Sequence, residues 1–339
     1  MTKHLHLFFK FKGEVNTSGR IINTIREHKL VLEEKNRLIW GQFSNGTGRV
    51  SDRNRERIIN QVNTGIDSFA FFLMNNGRER ELFVGKINRL YDRKEIKSDS
   101  PLKEFIPDYY SGTVGTSAEK ISVFVDMSTL VKIDSKLVNE IVVESTGEKV
   151  LNVTNPRSIF LTNISESLRD LIIEILRNPE ANYQYQVEQE NVGSVIRKDI
   201  PKNVPSKSRG EGSGAYKRDF KTAKNAIVLA NYKCEIDLNH EYFISKVTKR
   251  NYVEAHHLIP IGFQDDFQKS IDVEANIISL CAHCHKKLHH GEYKVIEPLI
   301  EKLYDARINR LNNCGITINK KALLYIKLSK ICKHNTYLE

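Results

Sequence analysis

Two stretches near the C-terminus decide the fold: residues 252–260 read YVEAHHLIP, and residues 276–291 read NIISLCAHCHKKLHHG. With YKCEIDLNH at residues 232–240, they hold seven of the eleven histidines and three of the five cysteines of the chain. Imidazole and thiolate are ligands that zinc and other transition metals prefer. The crowding of these side chains therefore predicts a metal-binding domain around which the remaining sequence is organised.

The cysteines indicate a structural metal site. Cys281 and Cys284 form a C-x2-C pair, which is a common half of a tetrahedral zinc site, and Cys234 supplies a third thiol. The fourth ligand is open between the carboxylate of Asp237 and the imidazole of His240. The alternative for Cys234 is a small buried apolar residue with no metal.

The histidines indicate a second, catalytic site. His256 and His257 end a predicted strand, where adjacent side chains point to opposite faces, so a bend would let one face a metal and the other a water. His285 and His289 are four residues apart on a predicted helix that Gly291 ends, so both imidazoles can hold one ion. A neutral imidazole accepts a proton from water near pH 7, and a divalent cation neutralises charge on a leaving oxygen. The pattern favours phosphodiester hydrolysis.

The same residues resemble a known motif. Their strand, loop and helix order is similar to the HNH (ββα-metal) nuclease motif, and EAHHLIP with N-x4-C-x2-C-H-x3-H resembles its Mcr-type, zinc-stabilised branch. The resemblance implies that His256, His285 and His289 bind the catalytic cation. It also implies that His257 is the general base, and that Asn276 holds the loop and orients His257.

The two predicted sites imply two different metal ions. We expect a structural Zn²⁺ and a catalytic divalent cation, for which Mg²⁺ or Mn²⁺ is the default and Ni²⁺ or Co²⁺ also suits a histidine-rich site. Asp237 stands where the family usually has cysteine, so the fourth zinc ligand stays open between Asp237 and His240.

Composition and charge set the domain organisation. The 339 residues carry a net charge of +10, which favours a polyanionic partner such as DNA. A stretch rich in Pro, Gly, Ser and basic residues at 191–216 predicts a flexible linker between an N-terminal domain at 1–190 and a nuclease domain at 217–339. An odd cysteine count with three assigned to a metal argues against a disulfide framework, and no signal peptide or membrane span is evident, so we expect a cytoplasmic protein.

The N-terminal half predicts a β-rich module. Alternating or apolar runs predict strands near residues 3–12, 38–43, 68–74, 81–91 and 120–127, and helices near residues 16–28, 52–63 and 165–177. FVGKINRLYD at 83–92 and IPDYY at 106–110 resemble the EVE branch of PUA-like domains. The expected fold is α+β, with a PUA-like barrel and flanking helices, a linker and a zinc-stabilised ββα-metal domain.

The EVE resemblance implies a pocket for a flipped-out modified base, which needs aromatic walls for stacking. The candidates are Trp40, Phe43, Tyr109 and Tyr110. For Trp40 the alternative is a core aromatic, and for the two tyrosines packing and pocket are equal alternatives.

These observations predict a metal-dependent HNH endonuclease that cuts double-stranded DNA. The two resemblances imply modified cytosine as its target and restriction of foreign DNA as its role. One alternative is an endonuclease that recognises unmodified sequence or phosphorothioate DNA. Another is a zinc-stabilised nucleic-acid-binding protein without catalysis. Amphipathic helices predicted at 294–312 and 320–332 either pack on the nuclease core or form a homodimer.

Overall fold

The computed structural model describes residues 4–17, 19–43, 50–76, 79–153, 158–207 and 216–335. The described residues fall into two compact units, an N-terminal unit that ends at Asn182 and a C-terminal unit that begins at Tyr183. Each unit has its own buried apolar core.

The N-terminal unit is a mixed α+β structure. Its strands are β1 (His6–Phe11), β2 (Glu14–Thr17), β3 (Arg20–Asn23), β4 (Leu38–Phe43), β5 (Phe69–Asn76), β6 (Glu79–Lys86), β7 (Arg89–Asp92), β8 (Ile121–Met127), β9 (Val131–Ile133), β10 (Ile141–Val143) and β11 (Ile159–Ile164). Its helices are α1 (Thr24–Lys35), α2 (Asp52–Asn63), α3 (Asp108–Ser111) and α4 (Glu166–Arg177), and α5 (Pro179–Gln189) continues into the C-terminal unit. Short 3-10 helices occupy Pro101–Phe105 and Ser135–Glu140.

The strands form open sheets. One sheet has the order β10-β11-β1-β5-β6-β9, a second has the order β4-β8-β7, and β2 pairs with β3. Because β4 pairs with β8 and not with an edge of the larger sheet, the described residues form no closed barrel. The closed PUA-like barrel expected from sequence is therefore not found in this part of the chain.

The core of this unit is aromatic. Every residue from Phe69 to Met74 in β5 is buried, so both faces of the central strand are covered. On one face, the Phe72 ring stacks on Phe9 at 5.1 Å and lies 4.3 Å from Trp40, centroid to centroid. These contacts explain why the apolar run at residues 68–74 is a strand and not a surface loop.

One helix prediction was misplaced. Of the described residues in 16–28, only those from Thr24 onward are helical: β2 and β3 form a hairpin before it, and α1 begins at Thr24. The side chain of Asn23 accepts a hydrogen bond from the Arg26 backbone N–H at 3.0 Å, which is the N-cap that sets this start. The helices predicted at 52–63 and 165–177 are confirmed as α2 and α4.

The C-terminal unit surrounds a small hairpin. Its elements are α6 (Phe220–Leu229), β12 (Glu254–His257), β13 (Ile277–Leu280), α7 (Ala282–His290), α8 (Tyr293–Asn313) and α9 (Lys320–Asn335), with a 3-10 helix at Ile261–Asp266. Leu258, Leu280, Leu288, Ile300 and Leu323 share one buried cluster that joins the hairpin, α7, α8 and α9. The helices predicted at 294–312 and 320–332 are confirmed as α8 and α9.

Residues of the predicted linker contact this unit. Residues 191–207 contain no helix or strand, but Asp199 pairs with Arg310 at 2.9 Å and Lys202 pairs with Glu274 at 3.1 Å. Residues 208–215 lie outside the described part of the chain. The flexibility of the linker stays a prediction.

No helix among the described residues combines the length and the apolar character needed to cross a membrane.

Two buried histidines in the N-terminal unit make its stability sensitive to pH. Nδ1 of His28 donates to the Thr24 carbonyl at 2.7 Å, and its ring stacks on Trp40 with centroids 3.8 Å apart. Burial lowers the pKa of His28 to about 3, and burial with neighbouring positive charge lowers the pKa of His6 to about 3. Both imidazoles are therefore neutral in the folded unit.

We expect this unit to lose stability as pH falls below 6.5. Between about pH 6.5 and 3 the unfolded chain binds more protons than the folded one, so each histidine removes about 1 kcal/mol of unfolding free energy between pH 7 and 5.5. The only tryptophan, Trp40, lies in this unit, so its fluorescence during urea unfolding measures the effect. His28→Gln should reduce the loss by about half, and an unchanged loss would contradict this account.

Candidate active site and metal centres

A two-stranded hairpin and the helix after it carry the candidate site. β12 and β13 pair antiparallel, with His256 opposite Ile278. Cys281 is the N-cap of α7, and its Sγ accepts a hydrogen bond from the Cys284 backbone N–H at 3.4 Å. This arrangement brings the end of β12 against the face of α7 that carries its histidines.

Three histidines converge between β12 and α7. His256, His285 and His289 each offer a ring nitrogen, and these atoms lie within 4.8 Å of one another. Nε2 of His285 and Nε2 of His289 are 3.1 Å apart. Two nitrogens bound at about 2.1 Å and at right angles to one ion are separated by about 3 Å, so this donor set fits a single divalent cation.

A carboxylate fixes His285 for this role. Glu254 Oε2 lies 2.5 Å from His285 Nδ1, and the Tyr252 hydroxyl donates to Glu254 Oε1 at 3.1 Å. Burial would raise the pKa of Glu254, but its hydrogen bond with His285 and the charge of that ring bring the pKa below its ordinary value. A carboxylate on Nδ1 keeps the proton there and leaves the Nε2 lone pair for a metal. Sequence reasoning missed Glu254, although it lies two residues before His256 and hence on the same strand face.

His257 has a carboxylate partner of its own. Its Nε2 lies 2.9 Å from Asp272 Oδ1, and both side chains are buried. The other oxygen of Asp272 accepts a hydrogen bond from the Asp219 backbone N–H at 2.6 Å. With Nε2 engaged, Nδ1 is the nitrogen of His257 that remains to take a proton from water. Asp272 was not predicted, because it lies in an irregular loop where no spacing rule applies.

Asn276 holds together the segment that connects β12 to β13. It is fully buried, its Oδ1 accepts from the Ile259 N–H at 2.8 Å, and its Nδ2 donates to the carbonyls of Ile259 and Ile271 at 2.9 Å each. Its carbonyl also accepts from the Leu258 N–H at 2.8 Å. Asn276 thus fixes the backbone directly after His257.

A lysine from the C-terminal helix also reaches this site. Lys327 Nζ lies 2.8 Å from His256 Nε2 and 3.1 Å from the His257 carbonyl oxygen. Burial first, and then the charge of Lys327 and the neighbouring imidazoles, hold the pKa of His256 well below its ordinary value. Nothing in the sequence pattern predicted a residue 71 positions away as its partner.

The second cluster contains three cysteines and one histidine. Ligand atoms of Cys234, His240, Cys281 and Cys284 lie within 4.8 Å of one another. His240 Nδ1 is 3.4 Å from Cys284 Sγ and 3.7 Å from Cys281 Sγ, whereas Asp237 Oδ2 lies 3.5 Å from His240 Nε2. The structure therefore places His240, and not Asp237, next to the sulfur atoms. Asp237 lies on the opposite side of the imidazole, near its Nε2.

A bound cation would favour the ionised form of all three thiols in this cluster, because their surroundings disfavour several negative charges close together. Burial and the neighbouring sulfur atoms raise the pKa of Cys284, and burial first among several causes raises the pKa of Cys281. The pKa of Cys234 is lowered, because backbone hydrogen bonds and His240 outweigh its burial. Three thiolates and one imidazole are a donor set that zinc binds tetrahedrally, so the site can hold a structural zinc ion.

The predicted base-binding aromatics lie together in the N-terminal unit but in different environments. Trp40 is 2% exposed and Tyr110 is 4% exposed, and the Tyr110 hydroxyl accepts from the Gly41 N–H at 2.9 Å. Both are core residues with no free ring face. Phe43 is 41% exposed and Tyr109 is partly buried, so only these two present ring surface to a ligand.

Comparison with known families agrees with this geometry. Residues 243–291 match the family model described as HNH endonuclease, a range that includes β12, β13 and α7 with all three histidines of the cluster. No curated protein matches the chain. The C-terminal unit thus carries a nuclease domain of the HNH type.

The two alternatives for the fourth zinc ligand predict different variants. We expect His240→Ala to lose most of the zinc, because it removes a ligand. Asp237→Ala should keep the metal with about 10- to 100-fold weaker affinity, because Asp237 only supports His240. The measurement is zinc content by mass spectrometry after dialysis against graded chelator, with the exposed His283→Ala as control. Zinc lost in Asp237→Ala but kept in His240→Ala would contradict the assignment.

Proposed function

We propose that this protein is a metal-dependent endonuclease that hydrolyses phosphodiester bonds of DNA. The observation that carries the proposal is the convergence of His256, His285 and His289 beside His257, which is itself held by Asp272. A binding module without catalysis has no use for a buried imidazole with a carboxylate behind it and a nitrogen left for water.

In the proposed reaction each of these residues has a separate role. His257 Nδ1 takes a proton from the attacking water, while Asp272 holds the opposite nitrogen and stabilises the imidazolium that forms. Asn276 keeps the backbone after His257 in place through its hydrogen bonds to Ile259. A divalent cation held by the histidine cluster would neutralise the charge that develops on the leaving oxygen.

DNA as the substrate rests on charge and on the HNH match. The chain carries a net charge of +10, and polyanions are attracted to such a protein over the Debye length. Two active sites would let both strands of a duplex be cut together, so a homodimer is part of the proposal. Zn²⁺ at the cysteine cluster and Mg²⁺ or Mn²⁺ at the histidine cluster are the proposed metals.

The N-terminal unit is proposed as the DNA-reading part. The Mcr-type and EVE resemblances support recognition of modified cytosine and a restriction role against foreign DNA. Phe43 and Tyr109, whose rings are accessible, are the residues that could stack on an extruded base. Trp40 and Tyr110 would support this surface from the core.

The general-base role predicts two graded losses. His257→Ala should lower cleavage by about 10²- to 10⁴-fold, and Asp272→Asn by about 10- to 100-fold, with zinc content and DNA affinity unchanged in both. Asn keeps an acceptor for the Asp219 N–H, so folding should survive. Cleavage by Asp272→Asn at the rate of the unsubstituted protein would show that Asp272 does not support the general base.

The proposed specificity predicts a preference among duplexes. We expect faster cleavage of duplexes that contain 5-methylcytosine or 5-hydroxymethylcytosine than of unmodified or phosphorothioate duplexes of the same sequence. Phe43→Ala with Tyr109→Ala should remove this preference while cleavage of unmodified DNA stays the same. Equal cleavage of all four duplexes by the unsubstituted protein would refute modified-cytosine recognition and leave the endonuclease proposal intact.

A further inference from the structure

Lys327 occupies a position in the nuclease site that neither zinc binding nor the general base explains. Its side chain is 8% exposed, and its Nζ lies 2.8 Å from His256 Nε2. The neighbouring Leu323 and Ile326 on α9 are buried in the core of the C-terminal unit. This packing fixes the helix and therefore the position of the Lys327 backbone.

This contact and metal binding exclude each other at His256. A neutral imidazole has one lone pair in the ring plane and one N–H. When the Lys327 ammonium donates to Nε2, that lone pair is used and Nδ1 carries the proton. Neither nitrogen of His256 can then bind a cation. The repulsion between an ammonium and a divalent ion only a few ångströms apart acts in the same direction.

We propose that Lys327 and the catalytic cation compete for His256, so that metal loading transfers Lys327 from His256 to the DNA phosphate. The proposal rests on the proposed function for its second half, because the phosphate is that of the cleaved DNA. Its first half, the competition, concerns the protein and the cation alone.

The flexible side chain of Lys327 allows its ammonium to move from His256 to a nearby phosphate without movement of α9. Four methylene groups and three rotatable donors let the ammonium move several ångströms while Leu323 and Ile326 keep α9 in place. Once displaced, the ammonium lies next to a site that holds a divalent cation and an anionic phosphate. The ammonium can keep its hydrogen bond to the His257 carbonyl and turn another N–H to the phosphate, where a hydrogen bond to a non-bridging oxygen would stabilise the growing charge.

The test compares cation affinity with cleavage. Lys327→Met keeps the length of the stem and removes the charge, and Lys321→Met removes an exposed lysine from the same helix as a matched control. Binding of Ni²⁺ to the zinc-loaded full chain is measured by calorimetry without DNA. Cleavage of duplex DNA is then measured at saturating Mn²⁺.

We expect Lys327→Met to bind Ni²⁺ about tenfold more tightly and to cleave at least tenfold more slowly at saturating metal. Lys321→Met should change neither quantity. A residue that only supports the fold would weaken both binding and cleavage. Unchanged or weaker Ni²⁺ binding in Lys327→Met would overturn the competition, and unchanged cleavage with tighter binding would overturn the transfer to phosphate.

A second measurement needs no substitution. Amine-reactive labelling of the unsubstituted protein, read by peptide mass spectrometry, should show slow modification of Lys327 without Ni²⁺ and faster modification with it, while Lys321 reacts equally in both. Equal labelling of Lys327 in both conditions would overturn the proposal. If tighter Ni²⁺ binding and faster labelling are found but no cleavage occurs under any condition, the endonuclease function fails and the competition stands.

Discussion

The hydrogen bond between Glu254 and His285, 2.5 Å long, is the interaction on which the nuclease site depends. A buried imidazole binds a cation only when its proton is held on the other nitrogen, and a carboxylate does this reliably. A carboxylate also hydrogen-bonds His257, where Asp272 lies at 2.9 Å, and a more distant carboxylate, that of Asp237, lies 3.5 Å from His240 Nε2. In each pair the carboxylate faces one ring nitrogen and leaves the other for the proposed partner, which is the catalytic cation for His285, water for His257 and zinc for His240.

Helix α7 connects the cysteine cluster to the histidine cluster, because it carries residues of both. Cys281 and Cys284 stand at the start of α7, and the histidines of the active site lie on the turns that follow, so a metal at the cysteines fixes the helix that presents the imidazoles. Buried Arg307 strengthens the link, because it pairs with Glu235, next to Cys234 of the cysteine cluster, and donates to the Glu274 carbonyl at 3.1 Å, two residues before Asn276. Loss of zinc should therefore disturb the catalytic geometry without any contact between the two metals.

Local sequence spacing predicted the candidate metal-binding histidines. It did not predict the residues that contact the site histidines from distant parts of the chain. His285 and His289 follow from a four-residue helical period, and the strand and helix positions follow from alternation and amphipathic patterns. Asp272 and Lys327 reach their histidines only through the tertiary fold, from 15 and 71 residues away, and no pattern marks such contacts. For the same reason the pairing of the N-terminal strands was not predicted. The apolar runs predicted the longer strands, but not the short hairpin of β2 and β3. The parallel contact of β1 with β5 and the separate sheet of β4 depend on long-range packing, so the expected barrel did not follow from the strands.

X-ray absorption on the protein loaded with zinc and then with one equivalent of nickel separates the two proposed metal centres, because each metal edge reports its own ligands. We expect a zinc edge with three sulfur ligands at about 2.3 Å and one nitrogen at about 2.0–2.1 Å. We also expect a nickel edge with imidazole scattering from three histidines and no sulfur. Sulfur around nickel, a zinc environment without an imidazole, or a nickel site with no imidazole would contradict the division of these residues into two metal centres.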